Sequence, residues 1–142
     1  MRFFYTAFLA LMFVPSFALA SEFTSENEAR KFSDKITMQI LNEEFEKAFN
    51  AAKPYWPLPP VEIDGLINQI RQQWPIVQQR FGDSVGMEFV REEKIGNSFL
   101  RYYYLHKFEN HAIYWQLSFY KPSGGWKINS LVFLDDLNPL YQ

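Results

Sequence analysis

The sequence predicts an α+β fold in which N-terminal helices pack on a curved, four-stranded antiparallel meander, cone-like in outline. Two periodicities carry that expectation. Apolar residues recur at helical spacing between positions 25 and 81, then at every second position between 85 and 135. The second half is also punctuated by short turns, which can join only antiparallel neighbours. Zero cysteines mean that burial alone must stabilise the fold. A domain of this length can bury roughly two-thirds of its surface, so it needs no cross-link.

The elements follow in order. Arg2 and the apolar run Phe3–Val14, broken by Pro15-Ser16 and followed by Ala18-Leu19-Ala20, form a signal-peptide pattern over residues 1–20. The run is too short to span a bilayer. Cleavage after Ala20 would start one α+β domain at Ser21 and leave no membrane anchor. The expected location is therefore periplasmic or secreted. Ser25 and Glu28 make a capping box that opens a helix, and Ala29, Phe32, Ile36 and Ile40 supply its stripe. From Leu41 the stripe rotates to Phe45, Ala48, Phe49 and Ala52, which implies a break near Asn42 and a second short helix. Pro54 to Pro60 reads as a rigid extended connector. A third helix is expected from Ile63 to Phe81, with Pro75 inside it and Gly82 as its stop.

Strands are expected near 85–94, 99–108, 111–121 and 126–135. Strict alternation puts Met87, Phe89, Arg91, Leu100, Tyr102, Tyr104, His106, Phe108, Ile113, Trp115, Leu117, Phe119, Ile128, Ser130, Val132 and Leu134 on the helix-facing side. The other side receives Arg101, Tyr103, Leu105, Tyr114, Gln116, Ser118, Tyr120, Asn129, Leu131 and Phe133. A single bulge would exchange the faces beyond it.

Several segments resemble the nuclear transport factor two-like (cystatin-like) superfamily. They are Ala29-x-x-Phe32, Glu46-Lys47-Ala48-Phe49, the Phe81-Gly82 helix exit and the strand Gly125-Trp126-Lys127-Ile128 leading to Asp135. The Pro-rich connector stands where members of that superfamily place their first strand. The resemblance implies a cone of helices and sheet whose mouth can hold a ligand or an active site. Many members of the superfamily only bind or dimerise.

Charge and motif content narrow the function classes. With Arg2 lost in the leader, 13 basic residues face 16 acidic ones, a net charge of −3. That argues against nucleic acid and against an anionic membrane surface as partners. There is no phosphate-cradling loop or H-E-x-x-H, and no cofactor is expected. His106 and His111 flank one turn, but two histidines make a poor metal site, so no metal is assigned.

The candidate ligand pocket on the helix-facing side is Arg91, Tyr102, Tyr104, His106, Trp115 and Ser130. No catalytic residue is assigned, because no carboxylate is placed to orient His106. The tyrosine hydroxyls are equally suited to hydrogen bonds at the rim. Asp135-Asp136 could be a carboxylate site at the cone mouth, or the turn that Asn138-Pro139 suggests.

On the other side, Tyr103, Leu105, Tyr114, Leu131 and Phe133 form a candidate interface for a homodimer, unless Leu137 to Tyr141 folds back over them. The sequence thus describes an exported, non-catalytic binding domain for an unknown small molecule or protein. A small acid–base enzyme using a pocket His and Tyr is the first alternative. An assembly or immunity-type module acting through the open sheet face is the second.

Overall fold

Three helices precede four strands, as the periodicities require. The computed structural model describes residues 20–141. The predicted leader therefore lies outside the described residues, apart from Ala20. Helix α1 spans Glu26–Leu41, and its Ser25 cap accepts the Glu28 amide at 3.2 Å. The Glu28 carboxylate reaches back to the Thr24 amide at 2.7 Å, one residue before the cap itself. The break near Asn42 is present. Glu43 adopts φ 60°, a left-handed conformation that costs a non-glycine residue strain, and α2 follows over Phe45–Ala52. Its buried face is Phe45, Ala48, Phe49 and Ala52, the rotated stripe.

The connector differs from its expected extended form. Lys53–Tyr55 makes a turn of 3-10 helix, a conformation Pro54 tolerates because the first residues of a helical turn donate no internal bond. Helix α3 spans Pro60–Phe81, starting three residues earlier than the apolar stripe suggests. Pro60 at the first helical position explains this, since its missing N–H would be unused there. Gly82 ends α3 at φ 86°, and a side chain there would collide with Glu109. Glu109 and Asn110 clasp that exit: the Asn110 amide donates to Phe81 and the Glu109 carboxylate accepts from Asp83.

Strands β1 (Ser84–Ile95), β2 (Phe99–Phe108), β3 (Ala112–Tyr120) and β4 (Lys127–Leu134) form one antiparallel sheet in the order β1-β2-β3-β4. Helix α1 lies across β1, β2 and β3. The N-terminal segment clips on through a bridge between Phe23 and Trp126. The core fills the space between helices and sheet. Trp74 of α3 and Trp115 of β3 meet at its centre with ring centroids 6.4 Å apart.

The register between β2 and β3 is regular: Tyr104 pairs with Trp115 and Tyr102 with Leu117. The edge strands depart from strict alternation. In β1 the pairing shifts between Ser84 and Gly86 and again between Phe89 and Arg91. In β4 it shifts at Asn129, between the Phe119–Ile128 and Ser118–Ser130 pairs. Each extra residue turns the following side chains to the opposite face. Leu131 and Phe133 thus point toward the helices, opposite Leu117 and Trp115. Ser130, Val132 and Leu134 point outward, as does Arg91 beside Tyr103. Six face assignments are corrected in this way, Arg91 by the shift after Phe89 and the other five by the bulge at Asn129.

Candidate functional site

The six residues expected to converge on a pocket divide between the two sides of the sheet. Tyr102, Tyr104, His106 and Trp115 face the helices and are essentially sealed from solvent. Each has a structural partner. The Tyr102 hydroxyl donates to the Glu26 carbonyl at 3.0 Å, pinning the first turn of α1. The Tyr104 hydroxyl donates to Asp34 at 2.6 Å, and Asp34 also accepts Arg30 at 2.9 Å. Arg30 in turn sits 3.3 Å above the Phe89 ring. Burial pushes both tyrosine hydroxyls well above their ordinary range, so they remain neutral donors.

His106 is fully buried, stacked on Phe108 and beside Trp74. The Trp115 indole donates to its Nδ1 at 3.3 Å, and an indole N–H cannot accept. Nδ1 is therefore unprotonated, and Nε2 carries the hydrogen, which it gives to the Ser84 hydroxyl at 2.8 Å. Burial lowers the imidazole pKa to about 4, so the ring is neutral in its site. Both nitrogens are committed, and neither partner is a carboxylate. His111 is exposed against the Phe81 ring, well separated in environment from His106. Among the described residues, no group of three or more His, Asp or Glu could hold a metal ion.

Trp115 does border a groove, of about 280 Å³, between α3 and the β3–β4 edge. Its walls are largely apolar: Phe49, Leu66, Ile70, Leu131 and Phe133. Leu131 and Phe133, expected at an outer interface, contribute to this inner groove. Asp136 accepts both the backbone and side-chain N–H of Asn138, so the acidic pair belongs to a turn.

The outer face carries the larger cavity, a hollow of about 520 Å³. It lies toward the β1–β2 turn. Gln116 and Ser118 of β3 and Ser130 of β4 form its floor, and Arg101 of β2 and Glu93 of β1 form one wall. Phe99 and Ile95 add an apolar rim. The Ser118 and Ser130 hydroxyls lie 2.5 Å apart, and the Asn129 amide donates to Ser118 at 3.2 Å. The bulge at Asn129 is what brings Ser130 opposite Ser118.

A charge network braces the wall. Glu93 accepts Arg91 Nε at 2.9 Å, Arg101 Nε at 2.6 Å and the Tyr103 hydroxyl at 3.1 Å. Burial alone would raise its carboxyl, but the bonds from Arg91 and Arg101 outweigh that and hold it below the usual carboxylate range. Arg91 also donates to the carbonyls of Pro139 and Leu140, at 2.7 and 2.9 Å. The C-terminal segment is thereby tied beside Tyr103 and Tyr114, both buried on this outer face. The segment is drawn toward the outer face by Arg91, while Tyr141 stays 78% exposed and Leu105 is half-buried.

Sequence reasoning placed Arg101, Gln116, Ser118 and Asn129 on the outer face but did not assemble them into a site. The available signal was a run of uncharged polar residues in the middle of strands, where side chains usually pack. No known family, curated protein or solved structure matches this chain.

Proposed function

We propose that this chain is an exported, non-catalytic binding domain, with the architecture of the nuclear transport factor two-like superfamily, that receives a small ligand in the hollow on the outer face of its sheet. The observation that carries the reading is the hollow itself. Its volume of about 520 Å³ falls within the roughly 300–1,000 Å³ range of small-molecule sites. Its floor offers hydroxyl and amide groups on a face the helices leave uncovered. On the inner face His106 is bonded through both nitrogens, to Ser84 and Trp115, and neither partner is a carboxylate that would orient it as a base. Export to the periplasm or medium rests on the leader pattern of residues 1–20.

Native mass spectrometry of the chain purified from its host, without refolding, tests the binding reading. A bound species removed by mild denaturation supports it. If a bound species appears but protects the α3–β4 groove and not Arg101, Gln116 and Ser118 from amide exchange, the outer-face assignment fails. N-terminal sequencing of the exported form should begin at Ser21. Retention of Met1 to Ala20 would refute processing.

A further inference from the structure

The geometry points to the class of ligand: we infer that the outer hollow takes an uncharged, hydroxyl-rich molecule of sugar size. This rests on the reading of the hollow as a binding site. Three observations carry it.

The first is charge balance. The wall contains one free-standing ion network in which Arg101 and Arg91 share Glu93, and Arg91 spends its remaining N–H groups on the C-terminal carbonyls. Glu93 already accepts three donors, so it is not free to receive a cation. Arg101 is half-neutralised by Glu93, and the second cation beside the hollow, Lys94, is paired with Glu26 and Glu92. Arg91, Arg101 and Lys94 together face Glu93, Glu26 and Glu92, three positive charges against three negative, so an anion would find no net positive charge. A neutral ligand loses less hydration on entry than an ion does.

The second is the donor and acceptor set. Ser118 and Ser130 bond to each other through hydroxyls that each keep spare capacity, since a hydroxyl offers one donor and two acceptor sites. Gln116 adds an amide with both functions. Arg101 keeps N–H groups beyond those given to Glu93, held in a fixed plane. Such a floor can both give to and accept from each hydroxyl of a ligand. A ligand with acceptors alone would leave half of it unused.

The third is the apolar rim. Phe99 stacks on Tyr120, with centroids 4.6 Å apart, so its ring is held in place at the mouth. Ile95 is 73% exposed beside it on the paired strand. A sugar ring presents C–H groups on its faces and hydroxyls at its edge, which suits a polar floor with an aromatic and aliphatic side wall. A flat aromatic ligand would lack partners for the floor.

The test is a titration of isotopically labelled full domain, purified as the chain accumulates, with glucose, galactose, N-acetylglucosamine, maltose and cellobiose. Amide shifts are the readout. At about 10 mM sugar, a site with Kd near 1 mM is largely filled. At least one sugar should move the amides of Gln116, Ser118 and Ser130 together and leave those of His106 and Trp115 unmoved. Arg101→Ala and Gln116→Ala should each weaken binding by about tenfold, consistent with losing one bond to a polar group. Two surface variants are used so that loss of folding in one does not mimic loss of binding.

No perturbation by any of the five sugars overturns the inference. Perturbation of the same amides by acetate or citrate, and not by sugars, overturns it in favour of an anion site while the binding function stands. If native mass spectrometry finds a bound species and a tetra-alanine or other short peptide alone shifts these amides, the ligand class is wrong and the hollow is a peptide site. If no small molecule, ion or peptide reaches the hollow, the sugar inference and the binding reading fall together.

Discussion

The two faces of this sheet use polar groups in opposite ways. On the helix-facing side, each one ends in a bond that closes: Tyr102 on a helix carbonyl, Tyr104 on Asp34, His106 between Ser84 and Trp115. On the outer side, Gln116, Ser118, Asn129 and Ser130 surround space and retain bonding capacity. Burial explains the contrast. A polar group sealed in a core costs roughly 1–3 kcal/mol if left unpaired. On this sheet face the side chains avoid that cost, whereas Gln39 and Trp74 of the helices each keep one unpaired atom. A group facing a hollow can be satisfied by water or a ligand. Polarity on a buried face is thus a fold device here, and polarity on the open face is where recognition can occur.

The sharpest way to break this comparison is to place a charge on each side of β4. The bulge at Asn129 directs Leu131 inward, 4% exposed, and Val132 outward, 41% exposed. Leu131→Asp should bury a carboxylate without a partner and cost more than about 4 kcal/mol, enough to unfold a marginal domain. Val132→Asp should change stability by no more than about 0.5 kcal/mol. Strict alternation requires the reverse order, so circular dichroism melts of the two variants decide between the registers.

Next in size is the core contact between the two sides' shared scaffold and the helices. Trp115 is fully buried and touches Trp74 and Phe133. Trp115→Ala should cost roughly 3–5 kcal/mol. A urea midpoint close to that of the wild type would mean that the helices and sheet are not joined there.

A pH series sharpens the account of the inner face. The folded His106 pKa, lowered to about 4, lies below the ordinary value of 6.5. The unfolded chain therefore takes up the proton first as pH falls. Stability present above pH 6.5 is lost as pH falls toward 4, by up to about 3 kcal/mol from this group. Protonation would also put a hydrogen on Nδ1, where the Trp115 indole donates. His106→Gln should be less stable at neutral pH but should flatten the slope between pH 6.5 and 4. An unchanged slope would assign the acid sensitivity to other groups.

How much of this was legible in the sequence follows from where the chain is regular. The Ser25 cap, the stripe change after Leu41 and the stop at Gly82 are local signals and operate as read, except that Glu28 reaches the Thr24 amide and not that of Ser25. The β2–β3 register was readable because Glu109-Asn110 closes a short hairpin without an extra residue, so Tyr104 and Trp115 face together. The edge strands were not readable by alternation. Asn129 and the residues after Ser84 and Phe89 are unpaired insertions, and an edge strand can bulge because only one neighbour constrains it. Arg91, Ser130, Leu131 and Phe133 were misplaced for that single reason. The hollow was missed because it forms across four strands, and its members are unremarkable singly.

The smallest expected effect concerns the covered end of the outer face. Arg91 connects three things: the Tyr103 ring, 4.8 Å from its guanidinium; Glu93; and the carbonyls of Pro139 and Leu140. Removing its side chain should release the C-terminal segment and leave the four strands intact. The cost should be about 1–2 kcal/mol, since the bonds to carbonyls are charge-assisted but lie near the surface. Amide exchange at Leu140 and Tyr141, whose N–H groups bond within the same turn, should accelerate in Arg91→Ala while exchange in β2 and β3 stays slow. Arg91→Lys should rescue only in part, because a lysine cannot span Glu93 and two carbonyls with a planar fork. Sedimentation of the same variants bears on association. If the segment shields Tyr103 and Tyr114 from a second copy, Arg91→Ala should self-associate more strongly than the wild type at equal concentration. A wild type that is already dimeric and is unaffected by the substitution would place the subunit contact elsewhere. Exchange at Leu140 that does not respond to the loss of Arg91 would show that the segment is held by other contacts.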